Sequence, residues 1–336
     1  MTISVLNRYT SAVLATFPGS TLAGASFSGL NVSDADLSNQ DLTNTVFTGC
    51  NLSGSTLENS ILNGANFFRS NMEGCDLTNI TSDTNSDFRC CHFQNVTYDA
   101  AFNYVYVAFQ GGQSNDVSVS SGATTGLPDP SIPFYFNQIG TNTTGAFVSL
   151  QISPWTGDHG CEVVFGQEMR AFGYDILLVK LDRGATTMSD WVPTTADFLA
   201  LQASFLDAID EMKTLYPGRF FKFLGNWYLG EDDVRDIGAG AALYGKNYLL
   251  FQQGIERIVS QRMWKKFHIV LTQNWIASQK PNSFYSVRYF ETLYAGWTLN
   301  IDDQPNIGDS VHLTAAGEDV LGHRRYLSVQ EQIASE

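Results

Sequence analysis

The chain has 336 residues, 43% of them hydrophobic, and a formal net charge of −15. That length suffices for two compact domains, or for one domain and an elongated module. The acidic balance argues against non-specific binding to nucleic acid or to an anionic membrane surface, since both require a basic face. No segment reads as a transmembrane helix, so no membrane insertion is expected, and residues 1–18 hold one Arg in a broken apolar pattern, a poor signal peptide. The five cysteines, Cys50, Cys75, Cys90, Cys91 and Cys161, form no CxxC pair, so neither a zinc site nor a disulfide framework is indicated. His92 and His159 have no ligand-spaced partner, and no metal or cofactor is expected.

In chain order, Val5, Leu6, Tyr9, Val13, Leu14 and Phe17 read as one face of a short helix within residues 1–19. It is either an N-terminal cap or an anchor that docks the chain onto a larger assembly. Then every fifth residue from 22 to 77 is apolar: Leu22, Phe27, Val32, Leu37, Leu42, Phe47, Leu52, Leu57, Leu62, Phe67, Met72 and Leu77. Two residues before most of these centres stands a small side chain, such as Ala35, Ser55 or Cys75, so Cys50 and Cys75 read as small core residues. A period of five fits neither a helix nor a strand. Segments such as Ala35-Asp36-Leu37-Ser38-Asn39 resemble the pentapeptide-repeat family. The resemblance implies a right-handed quadrilateral β-solenoid over residues 20–97, four pentapeptides to a coil, with the central and small residues inward. Twelve centres make three coils, roughly 15 Å of rod at the spacing of stacked strands. The register slips after Leu77 and resumes at Phe88 and Phe93. Three Arg and no Lys stand against eight Asp or Glu in residues 1–97, so the surface is mostly uncharged and suits a spacer or an assembly face.

From about Ala101 the period of five is gone. Strands are expected at Tyr104–Phe109, Ile176–Leu181, Phe220–Trp227, Phe267–Gln273 and Gly296–Asn300. Helices are expected at Cys161–Phe172, Thr195–Tyr216, Ala241–Arg262, Ser286–Tyr294 and Ala315–Leu321, with residues 326–336 as a tail. Strands alternating with helices imply a parallel sheet covered on both faces, with reactive groups at the C-terminal strand ends. The first strand runs into Gly111-Gly112-Gln113-Ser114, which puts a hydroxyl at such an edge beside free backbone amides. A serine needs a base, and Asp309-Ser310-Val311-His312 offers an imidazole with an acidic partner.

Five blocks occur in order: Gly112-Gln113-Ser114-Asn115, Gly160-Cys161-Glu162, Asp182-Arg183-Gly184-Ala185-Thr186, Trp227-Tyr228-Leu229-Gly230-Glu231-Asp232-Asp233 and Asp309-Ser310-Val311-His312-Leu313-Thr314-Ala315-Ala316-Gly317. They resemble the SGNH hydrolases over residues 101–325, and within them the sialate O-acetylesterase and acetylxylan-esterase branch. The resemblance implies a flavodoxin-like parallel sheet flanked by helices, with Ser114 as nucleophile, His312 as general base and then acid, and Asp309 orienting the imidazole. It also implies an oxyanion site from the amides of Ser114 and Gly184 and a side chain of the fourth block. Leu229 stands where relatives carry Gln, so Asn226 or Asn115 are the candidates to replace that donor. Gln113 and Asn115 flank the nucleophile and, with Asn226, are candidates to bind or orient substrate; Glu231 orients the nucleophile loop, binds substrate or is structural, and Asp232 and Asp233 read as solvated loop charges. Trp155, Trp191, Trp227, Tyr228 and Trp275 are candidates for a sugar-stacking rim or for the core.

The expected function is a serine carbohydrate O-acetylesterase acting on an acetylated glycan without cofactor. The order of modules suggests a phage tail fibre or spike, with virion proteins or self-association as further contacts. The alternatives are a virion or surface structural protein whose weakened hydrolase domain only binds glycan, and a cytoplasmic partner-binding protein.

Overall fold

The computed structural model describes residues 1–93, 95–99, 104–112, 128–138, 142–143, 145–150, 160–184, 186–228, 231–235, 240–259, 268–270, 287, 289, 291, 297–299 and 313–334. Two compact units emerge. The first comprises residues 1–105 with 209–222 and 259–262, and the second residues 106–208, 223–258 and 263–336.

The first unit opens with strands β1 (Thr2–Asn7) and β2 (Val13–Pro18), not with a helix. They pair antiparallel, and β1 also pairs with β3 (Ala35–Asp36), while β4 (Asp76–Leu77) pairs in parallel with β5 (Thr97–Tyr98). Val5, Tyr9, Val13 and Phe17 recur every four residues, a spacing that a strand period of two satisfies as well as a helical one. The turn decides the outcome. The Asn7 side-chain oxygen accepts from the backbone N–H groups of Tyr9 (3.0 Å) and Thr10 (2.9 Å), and Ser11 takes a positive φ of 58°.

Beyond the hairpin, residues pair in parallel with residues twenty positions on: Ser26 with Val46, Asn31 with Asn51, Asp36 with Thr56, Val46 with Asn66. Pentapeptide repeats imply a β-solenoid, and an interval of twenty is four pentapeptides. All twelve centres from Leu22 to Leu77 are buried. Small residues two positions before the centres serve as donors as well as fillers. The Thr45 hydroxyl donates to Leu22 O (2.9 Å), that of Ser55 to Val32 O (3.0 Å), and the Cys75 thiol to Leu52 O (3.0 Å). Burial pushes the thiols of Cys50, Cys75 and Cys90 up to about 12, so they remain inert filler.

Each pentapeptide turns through a residue of positive φ two places after its centre, as at Gly24, Gly29, Asp34, Asn39, Asn44, Gly54 and Asn59. Only residues that tolerate the left-handed region fit there cheaply, which explains the Gly/Asn/Asp preference at that position. The slip after Leu77 is one inserted residue, since Asn66 pairs with Asp87 and Asn71 with His92. Phenylalanine rings stack through the unit: Phe17 on Phe27 (4.3 Å), Phe27 on Phe47 (4.7 Å), Phe47 on Phe67 (4.6 Å) and Phe67 on Phe88 (5.1 Å). The column ends on Phe220 of the same unit, 4.0 Å from Phe88.

An eight-stranded sheet dominates the rest, in the order β13-β12-β11-β6-β10-β7-β8 with β9 also on β7. Its strands are β6 (Tyr104–Gly112), β7 (Pro133–Gln138), β8 (Asn142–Thr143), β9 (Val148–Ser149), β10 (Asp175–Asp182), β11 (Phe220–Tyr228), β12 (His268–Val270) and β13 (Trp297–Leu299). β10 runs parallel to β7, and β11, β12 and β13 run parallel to one another. The sheet is mixed, however, because β8 and β9 are antiparallel to β7. This corrects the all-parallel expectation. β7 opens on Pro133 and its partners are two residues long, so no run of strand-like alternation marks them.

Helices α1 (Glu162–Ala171), α2 (Ala196–Leu215), α3 (Glu231–Arg235), α4 (Gly240–Val259) and α5 (Ala315–Ala334) accompany the sheet. On one face Phe165 and Met169 of α1 and Val329 of α5 pack with Ala108, Ile176, Leu178 and Leu224. On the other, Phe205 of α2 stacks on Phe109 at 5.1 Å and Phe251 of α4 lies 4.1 Å from Trp227. The supposed tail is helical as far as Ala334, because Arg325 and Val329 continue the buried stripe of α5. Among the described residues no helix is long and apolar enough to cross a membrane.

Candidate active site

Three central strands end level with one another. A β-carbon at Gly111, one residue before the end of β6, would lie 2.4 Å from the Trp227 ring and 2.8 Å from Leu181 O. Trp227 and Leu181 are themselves one residue from the ends of β11 and β10. Only glycine admits so close an approach. The C-terminal ends of β10, β6 and β11 therefore form one edge, and three of the five blocks singled out in the sequence begin there in the chain.

Ser114, Gln113, Asn115, Asp309, His312 and Leu229 lie outside the described residues, as do Trp155, Trp275 and His159. Glu231 opens α3, and its side chain is likewise outside them. Gly184 is described, two residues beyond β10 and half-buried, and a methyl group on it would meet nothing within 4 Å among the described residues. Asn226 is buried on β11, where it pairs in register with His268. Leu313, next in the chain to His312, is buried with Cys161, Tyr228 and Leu321. This contact anchors the start of the final helical segment at the end of β11.

One expectation is overturned, and one pair of alternatives is decided. Asp233 is no solvated loop charge: it is fully buried in α3, and its Oδ2 accepts the Met188 N–H at 2.9 Å. Burial raises its carboxyl to about 7, with Glu291, Asp232 and Asp190 adding repulsion. Trp191, Trp227 and Tyr228 are core residues, not a sugar-facing rim. Trp191 meets Trp227 edge-on at 5.2 Å, so both indoles are spent on packing.

The sequence reading also missed a polar layer beneath the edge. Gln110, Lys180, Asp182 and Asn226 are all buried in the last third of their strands. The Lys180 ammonium donates to the Glu162 carboxylate of α1 at 2.9 Å, both side chains being almost fully enclosed. Both amide atoms of Gln110 lack a partner among the described residues. The available signal was a polar side chain placed late in each of three largely apolar strands, a pattern that a strand buried on both faces does not need. Among the described residues no group of three His, Cys, Asp or Glu side chains converges as a metal site requires.

Comparison with known proteins gives a separate view of each part. The family model for pentapeptide repeats matches residues 41–79 in eight copies. No curated protein matches the chain. Among solved structures, a protein from Arabidopsis thaliana superposes with a TM-score of 0.50 at 16% identity, covering 67% of this chain and 98% of that one. NanS superposes with a TM-score of 0.51 at 14% identity, covering 71% and 100%. A carbohydrate acetylesterase from Xanthomonas citri is aligned over 72% of this chain and 58% of its own, at 18% identity and a TM-score of 0.48. The chain therefore joins pentapeptide repeats to an α/β part that shares the fold of the Arabidopsis protein and of NanS.

Proposed function

We propose that the chain is a serine carbohydrate O-acetylesterase of the SGNH type, acting on an acetylated sugar or polysaccharide without a cofactor. The observation that carries the reading is the common edge of β10, β6 and β11, with Gly184 two residues beyond β10 and the nucleophile motif next after β6 in the chain. In this reading Ser114 Oγ attacks the acetyl carbonyl while His312 takes its proton. The tetrahedral oxyanion accepts from the N–H groups of Ser114 and Gly184. Collapse expels the sugar oxygen, which receives the proton from His312. Water, deprotonated by the same imidazole, then releases acetate and restores the serine. Asp309 holds the imidazole in the productive tautomer. The first part is read as a right-handed quadrilateral coil, supported by the twenty-residue pairing interval. The order of the two parts is what suggests a tail spike acting on a host polysaccharide.

Acetate release from acetylated xylan and sialic acid, and hydrolysis of p-nitrophenyl acetate, test the proposal. Wild type should exceed Ser114→Ala by several orders of magnitude. Equal rates would leave a glycan-binding protein, the reading that Leu229 favours. If the donor absent at Leu229 limits the rate, Leu229→Gln should raise kcat, toward the ~10² that such a donor typically contributes.

A further inference from the structure

The turn that follows β10 is hydrogen-bonded around a single peptide group. The Thr186 hydroxyl donates to Arg183 O at 3.0 Å, and the Trp191 indole N–H donates to that hydroxyl at 3.0 Å. Thr186 and Trp191 are both buried, and Trp191 is wedged edge-on against Trp227. Further bonds fix the flanks. The Arg183 guanidinium pairs with Asp197, Asp190 accepts the Thr187 N–H at 2.8 Å, and Asp233 accepts the Met188 N–H.

The carbonyl that Thr186 holds belongs to the same planar unit as the N–H of Gly184. In a trans peptide the C=O and N–H point in opposite directions, so whatever aims the carbonyl also aims the amide. Here the carbonyl is drawn toward the buried hydroxyl, which turns the Gly184 N–H the other way. Donor strength follows as well. A hydroxyl that accepts from an indole donates more strongly, and a carbonyl that accepts polarises its own N–H. An indole N–H can only donate, so inside the core Trp191 has this one use for it here.

We propose that Thr186, backed by Trp191, is a positioning residue for the oxyanion site, setting the direction and strength of the Gly184 N–H. The inference rests on the esterase reading for its catalytic consequence, and on the turn's geometry for its structural one. Two measurements separate these.

The first is kinetic. Thr186→Val keeps the shape and loses the donor, and should lower kcat ~10-fold or more while KM stays within about twofold, because an oxyanion donor acts in the transition state. Thr186→Ser should restore most of the rate, and Trp191→Phe should fall between. A structural role alone would lower the urea midpoint and leave kcat per folded molecule intact. An unchanged kcat in Thr186→Val, or an equal loss in Thr186→Ser, overturns the proposal.

The second needs no turnover. Crystal structures of wild type and Thr186→Val should differ in the orientation of the 183–184 peptide, and an identical orientation overturns the proposal. If wild type is no faster than Ser114→Ala, the esterase reading fails, while the peptide comparison still decides whether Thr186 aims the amide.

Discussion

Asp233 is held against its own chemistry. A carboxyl group that ordinarily titrates near 3.8 is shifted to about 7 by burial, and the neighbouring carboxylates of Glu291, Asp232 and Asp190 add to the effect. Its protonated form is favoured by the fold, so its contribution to stability is complete below about pH 4 and is lost as pH rises through about 7. The loss is on the order of 4 kcal/mol. Asp233→Asn keeps an acceptor for the Met188 N–H and removes the titration. Urea unfolding at pH 5 and pH 8 should show wild type losing more stability between the two than the variant does. Equal differences would show that Asp233 is not the group responsible. At this scale the sequence was legible where a residue's role is written in its neighbours along the chain, as for Ser55 and Cys75, small residues two places before a buried centre. It was silent where the role comes from across the fold. Two adjacent aspartates look solvated in any sequence, and only the packing of α3 distinguishes Asp233 from Asp232.

Among the elements, the pentapeptide turn is the most constrained. Arg69 and Cys90 occupy its positive-φ position, at 60° and 58°, where most repeats have Gly, Asn or Asp. A side chain branching from an ordinary β-carbon costs about 1–2 kcal/mol there. Arg69→Asn should therefore raise the unfolding free energy by about 0.5–1 kcal/mol, and Asn59→Val should lower it by at least as much. Thermal or urea unfolding measures both, and a stabilising Asn59→Val would contradict the turn argument. The repeat was readable because each five-residue unit carries its own inward residue and its own turn. The strands β6, β10 and β11 were readable as dense apolar runs. The N-terminal hairpin was misread because a spacing of four does not separate strand from helix; β7 was passed over because it opens on a proline, and β8 and β9 because each is two residues long.

For the molecule as a whole, the chain does not divide by a single cut at the point where its sequence pattern changes. Residues 209–222 belong to the first unit, and Phe220 closes the phenylalanine column that began at Phe17. Residues 1–105 expressed alone should expose the Phe88 and Phe93 rings, both of which otherwise rest on Phe220. Such a fragment is expected to self-associate in sedimentation velocity, and Phe88→Asp within it to suppress the association. A fragment that is monomeric whatever stands at position 88 would refute the argument.

The same ring sets a clock. Neighbouring rungs can form as soon as twenty more residues leave the ribosome, yet the last one waits for a partner 132 positions beyond Phe88. At about 5–20 residues per second that wait is roughly 7 to 26 seconds, long enough for a chaperone to engage the bare end of the column.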